Sequence, residues 1–382
     1  HAKTKTPAWA EEISGVPASQ IEALAKRIGA TDRTYIRVGY GFSRSRNGPS
    51  QVHAVTSIAA VGGKFQYRGG GAFWSNRIVY NWNKTVIEGA DAMDPSIRIL
   101  DMSRIGPILT YEDETVRKGP PVTAMLVQNT NPAAVAPDTH RVLRGLRRED
   151  LFLCVHEQFM TETAQHADVV LPATTFLEHD DIYQAGGQVH IQVHRAIIDP
   201  PGETRSNHWV NCELAKRLGA VHPGFEMTEW ELVDRTLRDS GWPGADEVLE
   251  KKWHDVQPSF EDSHFLNGFP TPSGKYRFRA DWSAMGPLGH MLPTMPDHCR
   301  TIDEATEDRP FRMITSPARN FLNSSFTETP TSKRREGRPS VMVHPDVATR
   351  LGIAEGARVR LGNEQGSVVL HARLFDGVQP GV

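Results

Sequence analysis

Residues 151–183, LFLCVHEQFMTETAQHADVVLPATTFLEHDDIY, restrict the possible fold more than any other stretch. Leu151 to Val155 reads as a buried strand and Asp168 to Leu171 as a second, with room for one helical turn at Thr161 to His166. Buried parallel strands joined by a short crossover turn their carboxyl-terminal loops to one edge, where nucleotide-like ligands bind. Val122 to Val127 adds another apolar strand, broken at QNTNP. Strand, loop, helix and strand in that order make the middle of the chain a doubly wound α/β layer.

Upstream, Ile21, Leu24, Ala25 and Ile28 recur at helical spacing behind Pro17, and Gly29 ends the run. Thr34 to Val38 is a short strand that enters GYGFSRSRNG. His53 to Val61 follows as a small-residue helix, and Gly69 to Gly71 mark a tight turn. Ile97 to Met102 is expected to form a strand. Downstream, the helix Asn207 to Leu218 is expected to turn Trp209, Leu214 and Leu218 towards the sheet, and another helix covers Glu229 to Arg238. Beyond Pro310, Phe311 to Thr315 and Ser340 to His344 read as strands, and Pro345 to Leu351 as a helix closed by Gly352. Ala357 to Leu361 and Ser367 to Ala372 pair as a hairpin around Asn363 to Gly366.

A net charge of −3 over 382 residues gives no electrostatic case for nucleic acid, and no apolar run is long enough to span a membrane. Neither a nucleic-acid partner nor direct membrane insertion is expected. The basic runs Arg141 to Arg148 and Lys333 to Arg338 read as solvated. Cys154, Cys212 and Cys299 form no C-x-x-C pair and read as buried structural thiols. No His-Glu-x-x-His motif is present and no Ser–His–Asp set follows from order alone, so no catalytic residue and no metal ligand is assigned. Glu178, His179, Asp180 and Asp181 cluster without a second ligand group at suitable spacing; they are expected to stabilise loops or pair with a nearby arginine.

The run TETAQHADVVLP, the turn TPSGKYRF at 271–278, SPARNFLNSSF at 316–326 and VMVHPDVATRLGIAEGARVRL at 341–361 together resemble one family. It is the dimethyl sulfoxide reductase family of molybdopterin oxidoreductases, and the likeness is to the catalytic (alpha) subunit. The resemblance covers nearly the whole chain, weakening from about 222 to 268. It implies an α/β fold, a Rossmann-like parallel-sheet cofactor-binding domain followed by a truncated double-psi-like β-barrel. Residues 1–221 would bind molybdopterin guanine dinucleotide, 222–308 would connect, and 309–382 would form the barrel. It implies a bis-guanine-dinucleotide cofactor with molybdenum or tungsten, two-electron or oxygen-atom transfer, and an iron–sulfur electron-transfer subunit as partner. Three cysteines cannot hold the four-cysteine cluster of many relatives, so any iron–sulfur cluster is expected outside this chain. The chain runs from His1 to Pro380-Gly381-Val382. Both ends are expected to be trimmed, the protein ligand to the metal to lie upstream, and the isolated chain to be inactive.

Candidate cofactor contacts follow. Gly39, Gly41, Ser43, Arg44 and Arg46 come just after a strand, where glycine backbone approaches phosphate and arginine neutralises it. Relatives carry a pterin-contacting glycine turn here. Gln128, Asn129 and Asn131 either form a structural turn or present donors to the nucleotide arm, with Thr130 where relatives have glycine. Glu157 stands where many relatives have an aspartate facing ribose or guanine. Thr161 and Thr163 bring hydroxyls, Thr161 also as a cap. Asp168 either orients its loop or accepts from guanine, and Pro172 and Asp181 complete the strand-end set. Arg319, Asn323 and Ser324 lie in a segment that folds over the pterin in relatives. AGGQVHIQVHRAIIDPPGETRSN stands closer to the sulfoxide- and sulfur-reductase side of the family. The rival expectation is a non-catalytic scaffold subunit of an electron-transfer complex that has lost the cofactor. The intact TETA…ADVVLP run favours the enzyme.

Overall fold

The computed structural model describes residues 1–300, 304–364 and 366–382. Residues 301–303 of the expected connector and Gln365 of the expected hairpin turn lie outside the described residues. In chain order the strands are β1 (Tyr35–Arg37), β2 (Gly71–Phe73), β3 (Ala124–Gln128), β4 (Phe152–Glu157), β5 (Val169–Pro172) and β6 (Asp181–Tyr183), followed by β7 (His190–His194), β8 (His254–Asp255), β9 (Ser340–Val343), β10 (Arg358–Asn363) and β11 (Gly366–Leu374). Contacts divide the chain into two compact units. One holds His1–Asn81, Gln184–Ile191 and Trp253–Glu304; the other holds Trp82–Tyr183, Gln192–Lys252 and Ala305–Val382.

In the first unit β1 and β2 pair parallel, with Tyr35 opposite Gly71. The helix Gly48–Val61 buries its small residues Ser50, Ser57 and Ala59. Gly69 and Gly71 both have positive φ (80° and 99°), as a tight glycine turn requires. Edge-on contacts of Phe65 with Phe265 and Phe269, at 5.5 and 5.7 Å, tie residues 265–276 to this helix region. Lys64 is only 2 % exposed. Its ammonium donates to the Gly29 carbonyl near the end of helix Ala18–Ala30, where a cation complements unsatisfied carbonyls.

In the second unit β3, β4 and β5 form a parallel sheet in that order, with Ala124 opposite Phe152 and Cys154 opposite Val169. Leu153, Val155 and Val127 pack with Leu109, Val142 and Leu146 from helices Ile105–Leu109 and Thr139–Leu146. Burying each such side chain contributes about 1.5–3 kcal/mol. The helices close tightly because residue 145 is glycine: a Cβ there would lie 2.4 Å from Leu109 Cβ. On the opposite face Leu126, Phe152 and Val169 are each more than a third exposed. Among the described residues, the doubly wound layering is complete on one face only.

Three expectations need correcting. Ile97 to Met102 is not a strand; Ile97, Ile99 and Met102 stand 68, 84 and 88 % exposed. Phe311 to Thr315 is not a strand either, and its ladder-like contact is Arg312 N donating to Gly381 O. An apolar run becomes a strand only beside a partner that takes its backbone hydrogen bonds. The helix Asn207–Leu218 forms, but it buries Val210 and Ala215 and leaves Trp209, Leu214 and Leu218 exposed.

In the 309–382 region β11 lies between β10, antiparallel, and β9, parallel. The helix Pro345–Leu351 is capped by His344, which accepts from Asp346 N, and ends at left-handed Gly352. No closed barrel occurs among the described residues. The chain is thus a mixed α/β structure with parallel sheets. No described helix is long and apolar enough to cross a membrane.

Candidate functional site

β3, β4 and β5 end on one edge at Gln128, Glu157 and Pro172. Asn129 takes a left-handed conformation (φ 56°), which asparagine tolerates. Asn131, 4 % exposed, reaches across to the loop after β4. Its Oδ1 accepts from Thr163 N at 3.1 Å and from Thr163 Oγ1 at 2.7 Å, and its Nδ2 donates to Glu162 Oε2 at 2.7 Å. Fully buried Thr163 in turn accepts from Ala133 N at 3.0 Å. Asn131 and Thr163 therefore clasp the β3 and β4 loops together. The Asn131 amide also holds the Glu162 carboxyl below its ordinary range. Thr161 Oγ1 accepts from Ala164 N and caps the turn, and Glu157 accepts from the neighbouring Gln158 N while staying half-buried.

Asp168 lies elsewhere. It precedes β5 at the amino-terminal edge, where its Oδ2 accepts from Leu153 N at 2.7 Å. That placement makes it a tie between β4 and β5 on the side away from Gln128 and Pro172. Asp181 opens β6, and its two oxygens face Ile182 N at 2.7 Å and His179 Nε2 at 3.5 Å. In the same cluster Asp180 pairs with Arg195 at 3.5 Å, and Glu178 accepts from Thr175 N. The spacing His190-x-x-x-His194, which sequence reading passed over, falls on strand β7, where four residues span about 13 Å. That separation is far too long for two ligands of one ion, and no described group of three or more His, Cys, Asp or Glu is arranged to hold a metal. The cysteines are free and half-buried, and burial pushes the Cys154 and Cys212 thiols up.

Gly39, Gly41, Ser43, Arg44 and Arg46 belong to the first unit, after buried Val38. A Cβ on Gly39 or Gly41 would meet nothing within 4 Å, and neither glycine has positive φ. The chain's own packing does not require glycine there; what glycine leaves is open room against the backbone. Arg44 and Arg46 are exposed, and neither guanidinium is paired among the described residues. Sequence reading missed Gly48, whose Cβ would sit 2.4 Å from Phe42 O; this glycine lets the loop fold onto the helix Gly48–Val61. Arg319, Asn323 and Ser324 lie in the second unit on an irregular segment, with Asn323 left-handed (φ 54°) and a bridge between Leu322 and Ser325.

Sequence reading also missed His156, fully buried next to the end of β4. Its Nδ1 is 3.2 Å from Gln128 Nε2 and its Nε2 is 3.0 Å from the Arg205 carbonyl. A histidine inside an apolar strand was the available signal.

Residues 14–217 match the family model for Molybdopterin oxidoreductase, and residues 311–382 match the Molydopterin dinucleotide binding domain. The chain is 31 % identical to the probable oxidoreductase YoaE of Bacillus subtilis, over 100 % of this chain and 55 % of that protein. It is 27 % identical to the dimethyl sulfoxide/trimethylamine N-oxide reductase of Rhodobacter capsulatus, over 99 % of this chain and 51 % of the relative. Against the biotin sulfoxide reductase of Cereibacter sphaeroides it is 26 % identical, over 100 % and 55 %. The chain thus spans about half the length of the curated relatives it matches. Among solved structures, acetylene hydratase from Pelobacter acetylenicus shares the fold, with a TM-score of 0.58 and 21 % identity over 72 % of this chain and 38 % of that one.

Proposed function

The chain belongs to the molybdopterin oxidoreductase family, and from that premise we propose that it forms part of the cofactor-binding body of a molybdenum- or tungsten-dependent oxidoreductase. The cofactor is a molybdopterin guanine dinucleotide, which supplies two-electron or oxygen-atom transfer when bound. Within this reading the β3–β4–β5 layer is Rossmann-like, residues 309–382 are part of a double-psi-like barrel, and the chain divides at 1–221, 222–308 and 309–382. The metal's protein ligand comes from elsewhere in the full protein, so this chain alone is inactive. An iron–sulfur electron-transfer subunit is its partner.

One observation carries the reading: the loop 39–46 joins two glycines with open Cβ space to two unpaired arginines. That donor set fits a phosphate-bearing ligand, since bare backbone admits the anion closely and guanidinium neutralises it with paired hydrogen bonds. Gly39, Gly41, Ser43, Arg44 and Arg46 would hold one part of the cofactor. Gln128, Asn129, Glu157 and Thr161 would meet the nucleotide at the strand ends, and Arg319, Asn323 and Ser324 would close over it. Asn131, Thr163 and Asp168 act by holding the loops and strands in place.

The test is titration of the chain with inorganic pyrophosphate, which probes the phosphate-binding capacity of loop 39–46 by itself. Arg44→Met combined with Arg46→Met is expected to weaken binding at least about tenfold, because charge-assisted hydrogen bonds contribute about 1.5–3 kcal/mol each. Unchanged affinity in that variant would remove the loop from the site. A scaffold subunit that had lost the cofactor would show no binding in the unaltered chain.

A further inference from the structure

His156 is the buried titratable group that the proposed function leaves without a task. Its protonation pattern follows from its partners. The Arg205 carbonyl only accepts, so Nε2 carries the proton and donates across 3.0 Å. In the neutral ring Nδ1 is then an acceptor, and it faces the Gln128 amide nitrogen, a donor, at 3.2 Å.

Arg205 is itself part of the β5 end. Its N donates to Pro172 O at 3.1 Å, its carbonyl also accepts from Thr174 N at 3.1 Å, and it bridges in parallel to Ala173. One imidazole therefore links three strand ends: β3 through Gln128, β4 by its own backbone, and β5 through Arg205. The partners lie 28 and 49 residues away in sequence. Packing alone does not call for histidine here. The register neighbours of His156 are Gln128 and Leu171, and an apolar side chain would fill the volume without tying either strand.

We propose that His156, as its neutral Nε2–H tautomer, is a positioning residue that fixes the spacing of the strand ends at which the nucleotide arm binds. The proposal rests on the cofactor reading for what this edge binds; the linkage among the strands does not.

The experiment compares the full chain with His156→Gln and His156→Phe, using guanosine diphosphate as the probe, with the histidine tautomer read by ¹⁵N–¹H correlation spectroscopy. Gln keeps a donor for the Arg205 carbonyl. Phe keeps ring volume but removes the imidazole bonds to the Gln128 amide and to that carbonyl, which keeps only Thr174 N. The unaltered chain is expected to show protonated Nε2 and bare Nδ1. Affinity is expected to fall at least about tenfold in His156→Phe, or ~1.4 kcal/mol, and to stay within about threefold in His156→Gln. A role in stability alone would lower both melting temperatures without separating the affinities. Equal affinity in all three proteins, or an Nδ1–H tautomer, would overturn the proposal. If His156→Phe does not fold, His156→Met takes its place under the same criterion. If the unaltered chain binds no guanosine diphosphate, the cofactor reading of this edge fails. Hydrogen exchange at the Thr174 amide then decides His156 independently: faster exchange in the Phe variant than in the Gln variant supports the linkage, and equal exchange overturns it.

Discussion

Asn131→Ala opens the clasp between the β3 and β4 loops, and the structure sets the size of the effect. Thr163 is 0 % exposed, so losing Asn131 Oδ1 strands its N–H where water does not reach. A buried donor left without a partner costs about 1–3 kcal/mol. The Thr163 hydroxyl keeps Ala133 N as a donor but loses its acceptor, a further ~0.5–1.5 kcal/mol. The contact to Glu162 reaches solvent and contributes little. The expected loss is roughly 2–4 kcal/mol. Thr163→Val should cost a similar amount, because it orphans the buried Ala133 N–H. The two residues share bonds, so the double variant should fall short of the summed costs by on the order of 1 kcal/mol. Urea unfolding at unchanged m, with hydrogen exchange at the Thr163 amide as the local reporter, measures both quantities. A loss under about 0.5 kcal/mol, or strict additivity, would refute the clasp.

Other outcomes follow from the same geometry. Gly48→Ala forces a Cβ against the Phe42 carbonyl and should cost about 1–3 kcal/mol, read as a lower melting temperature. Gly41→Ala meets nothing and should leave stability within about 0.5 kcal/mol while weakening pyrophosphate binding; unchanged affinity would show that no phosphate approaches there. Gly145→Ala should lower the urea midpoint, since overpacking against Leu109 at about 1–3 kcal/mol outweighs a helix-propensity gain of about 1 kcal/mol. The Glu162 carboxyl is held low by Asn131, so its stabilisation is present above the unfolded-state value of about 4.3 and is lost as pH falls through the lower folded value. Asn131→Ala should move the Glu162 carboxyl back towards its ordinary range in a carboxyl ¹³C titration, and an unmoved titration would count against the pairing.

Local pattern made some of this structure readable and hid the rest. Leu151 to Val155 and Asp168 to Leu171 were legible because short apolar runs around a polar turn have few alternatives, and β4 and β5 fall within two residues of them. Ile97 to Met102 and Phe311 to Thr315 have similar composition, yet strands need neighbours and composition does not name them. On the helix Asn207–Leu218 the larger residues looked like the core face, while the smaller Val210 and Ala215 are the ones that pack. The site divides in the same way. Glycines and arginines after a strand announce an anion loop, and Asn129 announces a left-handed turn. The partners of Asn131, Asp168 and His156 are set by the register of β3, β4 and β5, which no single segment encodes.

Metal and pterin content of the natural full-length protein, purified from a host that makes the cofactor, tests the cofactor-binding assignment most directly. Near-stoichiometric molybdenum or tungsten, together with pterin fluorescence after oxidation, is the expected result. Folded protein carrying neither would contradict the assignment and leave the scaffold subunit as the reading.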